Sequence, residues 1–221
     1  MSDKGKALEN EYRIRFTPIE QYRNAVWQIL CGRFFSRYIP KGAQILDLGC
    51  GWGEFINNIE AATKYAMDMN PAAEGKLDQY ITFLQQDCST PWSLAPESLD
   101  VVFSSNFLEH LPDKDSVEKT IAHVYKALKP GGKAIFLGPN IKFVPGAYWD
   151  FWDHYVPFTE ASMAELLQLN QFTVTEKIDR FLPYTMSDGK PPPLIALKVY
   201  LKLPVFWPFF GKQFLVVAEK N

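Results

Sequence analysis

The residues with the most chemistry to offer stand at the ends of apolar runs. "ILDLGCGWGEF" (45–55) places Gly49, Gly51 and Gly53 directly after a strand-like stretch. Glycine there permits positive φ and lets a ligand approach the backbone. A dinucleotide-binding loop wants glycines at its first, third and sixth positions. Here the third glycine falls one place early, and Glu54 takes the sixth position. A carboxylate in the first helical turn repels the pyrophosphate that a helix N-terminus would otherwise attract. It tolerates a cation. The pattern argues for a nucleoside carrying positive charge, and against NAD or a P-loop nucleotide.

Two further strand-like runs also end in acids. "KYAMDM" ends with Asp68 and Met69, and Asp68 stands 19 residues beyond Gly49. An acid at that distance accepts from both hydroxyls of a ribose. Met69 beside it could lie against an adenine face. "YITFLQQDC" ends with Asp87 and Cys88. Asp87 could accept from an adenine amino group, and the Cys88 backbone could pair with a ring nitrogen. Asp87 reads as well as a plain loop cap. In open α/β sheets ligands bind at the carboxyl ends of strands, so these three ends converge.

Candidates for proton transfer lie in "YWDFWDHYVPFT" (148–159). His154 is the candidate base, because an unperturbed imidazole titrates near neutrality. Asp150, Asp153 and Tyr155 are neighbours that could orient it. His110, in the turn "LEHL", reads first as a packing or hydrogen-bonding residue, and His123 as structural. Tyr148, Trp149, Phe151 and Trp152 could line an acceptor pocket or form the core of a lid.

Strands and helices must alternate to bring these ends together. A helix is expected over 19–39, with Val26, Ile29 and Leu30 on one face. Strands follow at 44–49, 64–69, 80–87, 99–106 and 133–140, with helices over 53–62 and 114–128 between them. "KPGG" (129–132) is expected to stop the second of these helices. A helix at 159–169, capped by Thr159, precedes strands at 172–178 and 213–220. Such alternation implies an α/β fold with a mostly parallel sheet and helices on both faces. Residues 1–39 read as an N-terminal segment and cover helix, and 40–221 as the main domain with an insertion at 179–212.

Composition narrows the function. The net charge is −2, so no global basic field points to nucleic acid. Cys31, Cys50 and Cys88 have neither disulfide nor metal spacing, and the polar N-terminus lacks a signal region. No metal is expected, and a reducing, cytoplasmic setting is. Thiol chemistry is not expected of Cys50 or Cys88.

"ILDLGCGWG", "YAMDMNP", "QQDC", "DVVFSSNFLEHLPD" and "LKPGGKAIFLGPN" resemble, in this order, the motifs of class I S-adenosylmethionine-dependent methyltransferases. The likeness covers about residues 43–178 and is greatest to the small-molecule subgroup with "LEHL" after the fourth strand. It implies a Rossmann-like three-layer sandwich whose seven-stranded sheet has an antiparallel last strand. It also implies that Gly49, Gly51 and Gly53 surround the methionine part of S-adenosylmethionine. By the same resemblance Asp68 holds the ribose, Asp87 and Cys88 the adenine, and Ser105 offers a carbonyl near the amino group. The expected reaction is methyl transfer to a small molecule, with a hydroxyl of a sugar-like or lipid-linked acceptor favoured. Carbon or nitrogen methylation, and a non-catalytic module on the same fold, are the alternatives. Where amino-methylating nucleic-acid enzymes carry an Asn-Pro-Pro-Tyr type of motif, "SSNFLE" stands instead.

The segment 179–212 is too long for a hairpin loop. From Lys190 to Lys212 it holds four lysines and no acid, and "LPVFWPFF" supplies Phe206, Trp207, Phe209 and Phe210. A basic, aromatic, amphipathic element of this kind could lie in a membrane interface, cap the pocket, pack on the sheet or make a dimer contact.

Overall fold

The computed structural model describes residues 19–184 and 192–221. The polar leader 1–18 and Lys190 lie outside them. Seven strands form one sheet: β1 (Gln44–Leu48), β2 (Thr63–Asp68), β3 (Ile81–Gln85), β4 (Leu99–Ser105), β5 (Leu128–Pro139), β6 (Phe172–Leu182) and β7 (Gln213–Lys220). Their order is β3-β2-β1-β4-β5-β7-β6. Strands β1 to β5 pair in parallel, and β7 runs antiparallel to both of its neighbours. This is the expected Rossmann-like sheet with an antiparallel last strand.

Helices cover both faces. They are α1 (Glu20–Arg33), α2 (Glu54–Asn58), α3 (Lys114–Ala127), α4 (Glu160–Leu169), α5 (Leu194–Lys202) and α6 (Trp207–Phe210). Alternate residues of β1 serve opposite sides, as strand geometry requires. Ile45 joins a core under α1 with Leu30, Phe35 and Phe103. Leu46 and Leu48 join the other core, with Ile121, Val124 and Leu167 from α3 and α4. Asp113 and Thr159 accept from Ser116 N and Ser162 N at the starts of α3 and α4, a satisfied cap in each case.

Three elements differ from the sequence expectation. The first-loop helix is one short turn and a half, because Ile59 is already extended. The "KPGG" stretch is carried inside β5: Leu128 pairs with Leu99, the chain bulges over 129–132 with Gly131 at φ 74°, and pairing resumes at Lys133 with Val101. Strand β6 continues to Leu182, which pairs with Gln213, so the insertion between the last strands begins only after it.

Candidate active site

The switch point between β1 and β4 opens the space that the site needs. All three glycines of the first loop adopt left-handed backbone: Gly49 at φ 72°, Gly51 at 54° and Gly53 at 75°. At Gly49 any side chain is excluded as well, since a Cβ would come 2.1 Å from Cγ of Phe107. The loop is tied to the next strand. Gly49 N and Cys50 N donate to the Met67 carbonyl, and Gly51 N donates to Asp68 Oδ2 at 2.9 Å. Asp68 Oδ1 accepts from Asn70 N at 2.8 Å. The acid proposed for the ribose thus also fixes the glycine loop, and each oxygen keeps a further acceptor direction.

A cavity of about 380 Å³ lies against this loop. Gly49, Gly51, Asp47 and Glu54 line it together with Glu109, His110, His154 and Gln213. Ser105 lines it, as do Trp27 of α1 and Phe151 of the loop after β5. Gly53 stands one step behind as the N-cap of α2. Asp68, Met69, Asp87 and Cys88 do not line this cavity; Asp68 meets it only through the Gly51 amide that it holds. Met69 is partly exposed at the end of β2. Asp87 Oδ1 takes Ser89 N and Oγ, which is the loop-cap behaviour the sequence also allowed. Cys88 is buried, with its thiol accepting from Thr120 Oγ1.

Carboxylates dominate the donor side. Asp47 is buried, and burial together with the nearby Glu54 and Asp68 pushes its carboxyl well above the usual range. Burial also raises Asp68 against the pull of the Asn70 and Gly51 amides. Glu109 is raised by burial despite its neighbour His110. Glu54 pairs with Arg23 of α1 at 2.6 Å. A cationic ligand beside these crowded, desolvated carboxyls would be favoured because it restores their charged forms. The bare backbone at Gly49 and Gly51 leaves room for its close approach. Both observations fit a sulfonium nucleoside and disfavour a phosphate.

Two imidazoles share the lining. His154 is 6% exposed, its ring 4.8 Å from that of His110 and stacked 5.0 Å from Phe151. Asp153 meets His110: its Oδ2 lies 2.8 Å from His110 Nδ1. Burial opposes the His110 charge, but the Asp153 hydrogen bond and Glu109 outweigh it, so its pKa is raised. Donor atoms of Glu109, His110 and His154 lie within 4.8 Å of one another, a set that could hold a divalent ion. Asp150 and Tyr155 are exposed. Of the four aromatics, Phe151 lines the cavity, Tyr148 is buried with its hydroxyl donating to the Val156 carbonyl at 2.6 Å, and Trp149 and Trp152 face solvent. His123 lies on α3 beside Trp92, away from the cavity.

A family model described as "Methyltransferase domain" matches residues 20–177. The chain belongs to that family. Its fold is that of the class I S-adenosylmethionine-dependent methyltransferases, and S-adenosylmethionine is the donor this family uses. A solved S-adenosylmethionine-dependent methyltransferase from Archaeoglobus fulgidus superposes with a TM-score of 0.66 at 20% identity, covering 90% of this chain and 94% of that one. Ubiquinone biosynthesis O-methyltransferase of Pseudomonas putida is 36% identical over 116 residues, 48% of this chain and 48% of that protein. Phosphoethanolamine N-methyltransferase 1 of Triticum aestivum is 36% identical over 101 residues, 41% of this chain and 20% of that protein. The chain thus spans half or less of the length of these curated relatives.

The methyltransferase domain therefore adds to the sequence-read residues a set that sequence reasoning passed over: Asp47, Glu109, Arg23 and Gln213. Asp47 had a signal, an acid inside an otherwise apolar strand. Gln213 had none. It is 7% exposed, its Nε2 donates to the Pro183 carbonyl at 2.8 Å, and its Oε1 has no hydrogen-bond partner among the described residues.

Proposed function

We propose that this chain transfers a methyl group from S-adenosylmethionine to a hydroxyl of a small, sugar-like or lipid-linked acceptor, with an imidazole of the cavity as general base. The observation that carries the reading is one cavity that joins a glycine loop and buried acids to His110 and His154. When bound, S-adenosylmethionine supplies a methyl group already activated on sulfur. Gly49, Gly51 and Gly53 would surround its methionine part and Asp68 its ribose, with Asp87 and Cys88 at the adenine, Met69 against its face and Ser105 near the amino group. The donor's positive charge would favour the charged form of Asp47, the acid beside the glycine loop that would match it. Trp27 of α1 lines the cavity, which supports a covering role for that helix. The three buried free thiols suit a cytoplasmic setting.

Orientation alone supplies several kcal/mol, on the order of 7–11 at best. Other residues of the lining provide the rest. His154 would take the hydroxyl proton as the methyl passes from sulfur to oxygen, the sulfur–carbon bond breaking to leave a neutral thioether. His110 is the second reading, favoured by its bond to Asp153: with Nδ1 so held, Nε2 is the basic nitrogen, much as an acid orients a catalytic histidine elsewhere. The relatives are named for oxygen and nitrogen acceptors alike. A labelled-donor assay against candidate acceptors, including lipid-linked saccharides, tests the reading. Label appearing on a carbon or nitrogen, with turnover undiminished in His154→Ala and His110→Ala, replaces it by base-free methylation. Calorimetry showing no S-adenosylmethionine binding leaves a non-catalytic module on the same fold.

A further inference from the structure

The segment after β6 carries a surface that the methyl-transfer chemistry does not use. Helix α5 is apolar on two sides. Leu197, Tyr200 and Leu201 pack on the core, and Tyr200 Oη donates to the Phe181 carbonyl at 2.6 Å. The other side presents Ile195 and Val199, followed by Leu203, all exposed. Trp207 then anchors the next turn: it is buried against Phe34 and Phe181, and its Nε1 donates to the Tyr200 carbonyl at 3.1 Å. Around that anchor Val205, Phe206, Phe209 and Phe210 stand in solvent, Phe209 at 76% exposure. A surface helix ordinarily turns its polar side outward. Large apolar side chains repeated over 195–210 mark an interaction surface.

Charge selects the occupant. Lys198 and Lys202 stand three residues beyond Ile195 and Val199 and border the exposed side, and Lys212 is exposed just after it. Residues 192–212 contain no acid and no arginine. Protein interfaces are depleted of lysine and enriched in arginine. Lysines whose stems lie along apolar surface while their ammonium groups reach outward suit a lipid headgroup layer. We infer that residues 195–210 form a contact with an anionic lipid surface, in which the phenylalanines enter the acyl boundary and Lys198, Lys202 and Lys212 meet the phosphates. Tyr184 and Gln213, on either side of this segment in the chain, line the cavity. The contact therefore sets a cavity wall beside the lipid, where a hydroxyl carried on a lipid could reach it. That last clause rests on the methyl-transfer reading; the lipid contact does not.

Vesicle sedimentation of the full chain, without donor, tests it. The wild type binds phosphatidylcholine vesicles containing phosphatidylglycerol. Phe206→Ser/Phe209→Ser/Phe210→Ser weakens that binding on the order of 100-fold. Lys198→Gln/Lys202→Gln/Lys212→Gln weakens it about fivefold per lysine and removes the salt dependence. Trp207 is left intact because it is buried, and an unchanged Tm shows that both variants fold. Absence of wild-type binding, or equal binding by wild type and both variants, overturns the inference. So does sedimentation velocity in which the wild type self-associates and the triple serine variant is monomeric, since the surface then belongs to a second copy of this chain.

Discussion

In one part of the cavity lining, backbone does the positioning: Gly49 N donates to the Met67 carbonyl and Gly51 N to the Asp68 carboxylate, which ties both glycines to β2. In another part, side chains from distant segments meet. His110 follows β4, Asp153 and His154 lie in the loop after β5, and Gln213 opens β7. The first part is a rigid consequence of the sheet. The second depends on loops, which carry specificity on a fixed scaffold. On the function proposed above, the first part governs donor binding, and the second the choice of acceptor and the rate.

Substitutions should separate the halves by the parameter they move. Removing the base is the largest effect expected: kcat falls by roughly 10²–10⁴, with donor affinity unchanged. His154→Ala and His110→Ala, measured separately, show which imidazole carries it. If His110 does, the rate rises with pH through a midpoint above the ordinary imidazole value, because the base must be neutral and Asp153 and Glu109 favour its charged form. Asp153→Asn then moves that midpoint down.

Next in size is Gly49→Ala on the donor side. The left-handed backbone and the overlap with Phe107 together cost on the order of 2–5 kcal/mol. Thermal unfolding should show the loss, and adding Phe107→Ala should return the steric share. Full stability in the single variant would mean that the loop is not held as described.

What was legible in the sequence follows the same division. A glycine forced by positive φ and a ring at 2.1 Å leaves a contiguous signature, and so do acids at strand ends. The strand order follows from alternation. The pairing of His110 with Asp153 joins residues 43 apart through loop geometry alone, so no local pattern records it. Glu109 sat in view within "LEHL", but its burial is a tertiary fact. At "KPGG" turn chemistry was read as a stop, and pairing with β4 overrode it through a bulge.

Smaller effects sharpen the boundary between the halves. Asp68→Ala should weaken S-adenosylmethionine by about 10- to 100-fold, since a charge-assisted ligand contact and the Gly51 tether are lost together. Unchanged affinity in calorimetry would remove Asp68 from the donor site. The wild-type affinity should also fall on acidification before an ordinary carboxylate would protonate. Burial raises Asp47 and Asp68, their charged forms attract the cation, and protonation removes that attraction as pH drops through the raised values.

Gln213→Leu is the smallest and the most diagnostic. A buried acceptor without a partner costs about 1–3 kcal/mol, and the hydrogen bond to Pro183 is worth about 1. Leucine removes both, so the Tm should hold or rise. If Oε1 instead waits for a donor group on the acceptor molecule, the KM for the acceptor found in the labelled-donor screen should rise about 3- to 10-fold. Donor affinity should not move. A variant that gains stability while losing only acceptor affinity would show the orphan oxygen to be kept for binding, as stability–function trade-offs predict. A variant with unaltered KM would return Gln213 to the scaffold and leave acceptor selection to Phe151, Tyr184 and the imidazoles.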